Sequence, residues 1–195
     1  MLKKIKLLLF ALLGVISYTI IFFILRIGLK YIPSFFLWSD YKLICNIYSM
    51  PMYFIDVIYY IFGMIVTTHG IINLFLISKE NHKAQNMKTR KPEKLIKTGF
   101  YSRARHPMYG TFMIINLGLF LSIRSLWSIL IIILFFTIKY ISTDYEEKNE
   151  LIKIFGNNYK EYREEVSNKF FLPIYKVYII ISVILTIVGI SIFIW

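Results

Sequence analysis

The stretch Gly99-Phe-Tyr-Ser-Arg-Ala-Arg-His-Pro-Met-Tyr109 decides how this chain is read. A cationic and aromatic cluster runs there straight into an apolar run. Arg105 and His106 resist transfer into hydrocarbon, whereas residues 108–123 favour it, with Asn116 the chief interruption. Pro107 suits the first position of a helix, where its missing N–H costs nothing. The open backbone donors of an apolar helix therefore start beside His106, Arg103, Arg105, Tyr101 and Tyr109. Such a boundary suits a polar cofactor that must stay within reach of a lipid.

The rest of the chain extends this membrane reading. Its 195 residues are 57% hydrophobic, and the mean hydropathy is +0.62, more apolar surface than a soluble domain of this size can hide. The single cysteine, Cys45, excludes an internal disulfide and a cysteine-based metal site. Three scattered histidines without a carboxylate framework argue against any metal. The net charge of +12 is not read as nucleic-acid binding, because the basic residues flank apolar runs as juxtamembrane lysines do. Lys3, Lys4 and Lys6 lead into an apolar run with no small-residue cleavage site behind it, so that run is expected to stay as an anchor.

Five spans are expected, at about residues 5–25, 52–77, 107–123, 126–143 and 174–195. The third and fourth form a hairpin through Ser122-Ile-Arg-Ser-Leu126. With the N-terminus inside, segments 1–6, 78–106 and 144–173 carry seventeen Lys and Arg, against four outside (Arg26, Lys30, Lys42 and Arg124). This bias places the N-terminus and the 99–109 cluster in the cytoplasm and Trp38, Trp127 and Trp195 at the outer interface; a plasma membrane is the expected location. The fold class expected is all-α and polytopic, with about five transmembrane helices and a cytoplasmic helical segment toward the C-terminus. Residues 26–51 read as an outer loop made interfacial by Phe35, Phe36, Leu37 and Trp38. Residues 144–167 read as soluble helix, with a stop at Gly156-Asn-Asn158 and then Tyr159, Tyr162 and Val166 on one face.

Polar groups inside spans are costly unless paired, so they mark either a cavity or contacts between helices. Asp56, the His69 and Asn73 pair four residues apart, and Asn116 are such groups, and contacts between helices are the favoured reading for each.

From Lys94 to Pro173 the chain resembles the isoprenylcysteine carboxyl methyltransferase and phospholipid methyltransferase superfamily. Three motifs carry the resemblance: Leu95-Ile-x-x-Gly99-x-Tyr101, Arg105-His-Pro-x-Tyr109, and Glu147-x-x-x-Leu151-x-x-x-Phe155-Gly156-x-x-Tyr159-x-x-Tyr162-x-x-x-Val166, closing on Pro173. An Arg-His-Pro-x-Tyr element also occurs in membrane sterol reductases, commonly with Asn at the variable position. Met108 stands there, and Gly110-Thr111 follows, which favours methyl transfer. The first 90 residues add only spans to the resemblance. It implies an integral-membrane methyltransferase using S-adenosylmethionine, with residues 1–90 as N-terminal spans and basic loop, 91–173 as the cofactor-binding core, and 174–195 as a last span.

The resemblance also implies a cofactor site. Glu93, Lys94, Leu95, Ile96, Tyr101, Arg105, His106, Pro107, Met108 and Tyr109 line it, and Glu147 closes it. The cofactor's carboxylate suits Arg105 or the open donors of the third span. Its ammonium suits Glu147, and its sulfonium suits the face of Tyr101 or Tyr109. His106 and Glu147 are the candidates for a catalytic base. No metal and no nucleic acid is expected. The partners are membrane lipids and a lipidic or small amphiphilic acceptor bearing a carboxylate, amine or thiol. In prenylcysteine enzymes an arginine four residues before the matching glutamate grips the substrate carboxylate; Thr143 stands there, with Lys139 one turn earlier. The competing readings are an NADPH-dependent membrane reductase and a non-catalytic protein of the same fold.

Overall fold

Apolar stretches long enough to saturate their own backbone bonds become helices in this chain, and the polar residues between them set the ends. The structure, a computed structural model, describes residues 2–29, 43–47, 50–86, 92–124 and 126–194. The Phe35–Trp38 segment, Lys88, Arg90, Lys91 and Trp195 lie outside the described residues. The helices are α1 (Leu2–Leu29), α2 (Phe54–His82), α3 (Pro107–Ser122), α4 (Leu126–Glu146), α5 (Ile152–Phe155), α6 (Asn157–Glu165) and α7 (Pro173–Ile194). A π-helical segment, Glu147–Leu151, joins α4 to α5. One antiparallel hairpin, β1 (Leu43–Ile47) with β2 (Met50–Tyr53), pairs Cys45 with Met52 and Ile47 with Met50. It lies mostly in the stretch 26–51 read from sequence as a loop and takes Met52 and Tyr53 from the start of the expected second span, an addition to the all-α fold expected.

The distribution of polarity is inverted relative to a soluble protein. Phe75 is 72% exposed and Ile141 65%, whereas Asp56, Thr111 and Glu147 are fully buried. Leaving one large apolar side chain in water forgoes ~1.5–3 kcal/mol, so this surface is built for hydrocarbon. Asp56–His82, 27 residues with a mean hydropathy of 1.8, is long and apolar enough to cross a membrane; Leu12–Gly28, Pro107–Ser122 and Pro173–Val188 are shorter apolar helices.

The chain divides into two compact units. The first comprises Met1–Thr68, Asn116–Leu130 and Ser182–Trp195. Gly63 and Gly118 let α2 and α3 approach closely there: a Cβ on Gly63 would lie 2.4 Å from the Gly118 carbonyl oxygen. Tyr59 and Leu121 form the core, with Phe62 and Leu185 against it. Asp56 is paired with Arg26 at 3.1 Å and Arg124 at 2.8 Å. Contacts between helices are thus the role of Asp56. Arg124 takes φ 52 in the α3–α4 turn.

The second unit comprises His69–Ile115 and Ile131–Ile181. In it Asn73 Nδ2 donates to the Tyr175 hydroxyl at 3.0 Å and lies 3.1 Å from His69 Nε2. His69 Nδ1 meets the Tyr178 hydroxyl at 2.8 Å, and Thr111 meets Tyr175 at 2.9 Å. His69 and Asn73 therefore join α2 to α7, and Tyr175 carries the network on to α3.

Candidate functional site

The 99–109 cluster forms a structured turn leading into α3, which begins at Pro107 as its fixed φ favours. Gly99 sits at φ 63, and a Cβ there would lie 2.5 Å from Glu80 Oε1. Glu80 Oε2 accepts from the Phe100 N–H at 3.5 Å, so an α2 carboxylate supports this turn. A strap of residues 166–172 follows α6 and holds the other side. Arg105 N–H donates to the Asn168 carbonyl at 3.0 Å and His106 N–H to the Lys169 carbonyl at 2.8 Å. The strap lies so close to α3 that only glycine fits at position 110, where a Cβ would stand 2.0 Å from the Phe170 carbonyl oxygen.

Glu147 joins this assembly from the far end of α4. It is the first residue of the π-helical segment, in which the Ile152 N–H reaches back to the Glu147 carbonyl. Such wide turns recur at functional sites because they re-aim a side chain without ending the helix. Glu147 Oε1 accepts from Arg105 Nε at 2.9 Å and lies 2.8 Å from His106 Nε2. Arg105 Nη1 also donates to the Val166 and Ser167 carbonyls, at 2.7 and 3.0 Å. All three side chains are buried. Burial pushes the Glu147 carboxyl up, but the hydrogen bonds and charges of His106 and Arg105 outweigh it and hold it at about 2.

Two buried polar atoms beside this cluster lack a hydrogen-bond partner among the described residues: Glu147 Oε2 and the Tyr159 hydroxyl. Arg163 Nε approaches Glu147 Oε2 to 3.5 Å and is itself partly exposed. Burial, then the nearby Glu147 carboxylate through its charge and hydrogen bonding, raises the Tyr159 hydroxyl, so the two groups face each other. Leaving such atoms unsatisfied costs ~1–3 kcal/mol each, so an acceptor and a hydroxyl in this state are suited to a polar ligand.

Around the cluster, Tyr109 stacks on His106 with centroids 6.0 Å apart and planes at 22°, and Phe170 packs on the same imidazole at 6.2 Å. The Tyr162 hydroxyl donates to the Tyr101 carbonyl at 2.6 Å. Tyr101 itself is pushed up to about 12 by burial, with Glu80 and Glu146 adding. Glu146 is half-buried and raised by burial; Glu150 and Glu147 add to this, while His106 and Lys139 oppose it.

Of the residues expected here, Arg105, His106, Tyr109 and Glu147 come together, and Tyr101 joins through α6. Met108 is half-buried at the start of α3. Glu93 to Ile96 stand differently. The Glu93 and Lys94 N–H groups bond to the Ala84 carbonyl, and the Glu93 carboxylate accepts from Asn86 at 2.6 Å. Among the described contacts none ties these four residues to Glu147. Arg105 was expected to grip a carboxylate. Among the described contacts Glu147 takes its Nε, and the Val166 and Ser167 carbonyls take its Nη1. Glu80 and Phe170 carry no signal of this role in the sequence, whereas Glu146 belongs to the acidic run 144–150 that the sequence offers for charge balance or an amine; Gly99 and Gly110 mark the places where Glu80 and Phe170 approach.

The family model for phospholipid methyltransferase matches residues 58–158, just over half of the chain. The match reaches back across most of α2, so the first 90 residues contribute more than anonymous spans, and it ends at Asn158, short of the strap. No curated protein and no solved structure matches the chain.

Proposed function

Because the chain belongs to the phospholipid methyltransferase family, we propose that it is an S-adenosylmethionine-dependent methyltransferase of the membrane, acting on a lipidic or small amphiphilic carboxylate, amine or thiol. The observation that carries this reading is the buried Arg105–His106–Glu147 cluster, beside which Glu147 Oε2, met only by Arg163 at 3.5 Å, and the Tyr159 hydroxyl make no close hydrogen bond among the described residues. A methyltransferase requires a site that is polar, dry and fixed before its ligands arrive. The family match favours methyl transfer over the reductase reading.

The donor set fits the cofactor. Glu147 Oε2, ionised at neutral pH, would take the ammonium, the Tyr159 hydroxyl would bond a second polar group, and the faces of Tyr101 or Tyr109 suit a sulfonium. When bound, the cofactor supplies an activated methyl group for in-line displacement by the acceptor. The residues of the chain align the partners and exclude water, and good orientation is worth ~7–11 kcal/mol. His106 holds Glu147 in place, and Tyr109 and Phe170 fix the imidazole. Glu147 is a weak proton acceptor because its neighbours hold it at about 2. Glu146, raised by burial, is the better group to take the proton from an amine acceptor. The topology that goes with this reading has five spans and a cytoplasmic site, so the cofactor arrives from water and the acceptor from the bilayer.

The test uses purified protein in mixed micelles with methyl-labelled S-adenosylmethionine and, in turn, a long-chain amine, thiol and carboxylic acid. Label should appear in one acceptor class and fall sharply in Tyr159→Phe. Cofactor binding without label transfer to any of the three would overturn the proposed acceptor classes.

A further inference from the structure

We infer that Glu80, an α2 residue outside the three motifs, is a positioning residue of the cofactor site and that its charge biases the site toward the cationic methyl donor over the neutral product. Glu80 stands in the last turn of α2, where an anion opposes the helix dipole and does nothing for the helix itself. Its carboxylate turns instead to the 99–104 turn. A Cβ on Gly99 would lie 2.5 Å from Glu80 Oε1 and 2.9 Å from Oε2, so a glycine there leaves the carboxylate room. The Phe100 N–H, which opens the turn, donates to Oε2 at 3.5 Å. Behind it the Arg103 and Ala104 N–H groups bond back to the Phe100 carbonyl at 3.1 and 3.2 Å. Glu80 thus serves the turn as a cap supplied from another helix.

What the turn carries is the cluster. The Tyr101 carbonyl receives the Tyr162 hydroxyl at 2.6 Å, and Ala104 is fully buried just ahead of Arg105 and His106. Among the described residues no ion pair includes Glu80, and Lys79, Lys83 and Arg103, the cations nearest to it and to the turn in sequence, are exposed. The Glu80 charge is left to act on Tyr101, whose hydroxyl also feels Glu146 at the end of α4. Two carboxylates brought by different helices make the surroundings of Tyr101 favourable to a cation. The inference rests on the methyltransferase reading, in which the Tyr101 face is one of two that suit a sulfonium. Methyl transfer leaves the sulfur with the bonding electron pair and no charge, so the product loses an attraction that the donor has.

Wild type, Glu80→Gln, Glu80→Ala and Glu161→Gln, each shown to be folded in detergent, are titrated calorimetrically with S-adenosylmethionine and with S-adenosylhomocysteine. Amide hydrogen exchange of residues 100–104 is followed in the same proteins without ligand. Glu80→Gln keeps an acceptor for the Phe100 N–H but loses the charge. It should weaken S-adenosylmethionine about fivefold and leave S-adenosylhomocysteine within about twofold. Glu80→Ala removes the cap as well, so both ligands should weaken and the 100–104 amides should exchange about fivefold faster or more. Glu161→Gln takes one charge from the exposed face of α6 and should change neither ligand. A Glu80→Gln protein with the wild-type ratio of the two affinities overturns the charge role, and unchanged exchange in Glu80→Ala overturns the positioning role. Failure of both ligands to bind the folded wild type would sink the methyltransferase reading and the selectivity with it, while faster exchange in Glu80→Ala would still uphold the cap.

Discussion

Gly110→Ala perturbs the joint on which the candidate site depends. The added methyl group would lie 2.0 Å from the Phe170 carbonyl oxygen and 2.6 Å from its carbon. Carbon and oxygen normally rest ~3.3–3.6 Å apart, so the strap must retreat by more than about 1 Å. Backbone stands on both sides, so no rotamer change relieves the clash. The retreat strains the bonds from the Arg105 and His106 N–H groups to the strap and lifts Phe170 from the imidazole. Overpacking of this kind costs ~1–3 kcal/mol, and each weakened backbone bond adds up to ~1 kcal/mol. A total on the order of 3 kcal/mol lowers the thermal midpoint by about 6–12 °C for a chain of this size. A displacement of about 1 Å at the cluster should also weaken S-adenosylhomocysteine binding far more than the stability loss alone would. Thermal unfolding in detergent and calorimetric titration read the two effects. Gly14→Ala is the control, since nothing lies within 4 Å of a Cβ there; it should leave both unchanged or gain the helix propensity of alanine, up to ~1 kcal/mol. A Gly110→Ala protein with the midpoint and affinity of the wild type would refute the packing of strap on α3.

Two further outcomes follow from the ion pairs. The Glu147 carboxyl is lowered from 4.5 to about 2 on folding. It therefore contributes stability that is complete above about pH 4.5 and is lost as the pH falls toward 2, on the order of 3 kcal/mol. Midpoints measured at pH 6, 4 and 3 should decline more steeply for the wild type than for Glu147→Gln, and parallel declines would show that the pairing does not hold the carboxyl down. Asp56→Asn leaves Arg26 and Arg124 buried around a neutral group and should cost ~3–5 kcal/mol in thermal unfolding. Its S-adenosylhomocysteine affinity should stay within a few-fold, and a large loss would place Asp56 in the site.

Much of the helical frame was legible because hydropathy and punctuation agree. Pro107 opens α3, Ser122 closes it, and Gly156 at φ 57 ends α5 where the Gly-Asn-Asn run predicts a stop. The roles of His69 and Asn73 were legible too, since a polar pair one turn apart inside an apolar run needs partners; that Tyr175 and Tyr178 supply them was not, because those residues lie about a hundred positions away. The same long-range limit hid the strap. Nothing local to Gly110 says that the backbone of residue 170 will lie against it. The π-helical segment was invisible, for Glu147-Lys-Asn-Glu-Leu151 has ordinary helical composition and its wide turn answers to the tertiary bonds of Glu147. The motifs single out Arg105, His106 and Glu147 but do not show their mutual pairing, which joins residues some forty positions apart.

The most direct test of the account is calorimetric titration of S-adenosylhomocysteine into the detergent-purified protein and into Glu147→Gln, with circular dichroism verifying that both are folded. The account predicts binding in the wild type and its loss in the variant, since the amide removes the charge that pairs with the ligand's ammonium while preserving shape. Equal binding by two folded proteins would contradict the assignment of Glu147 to the cofactor, and absence of binding in the folded wild type would contradict the proposed methyl transfer itself.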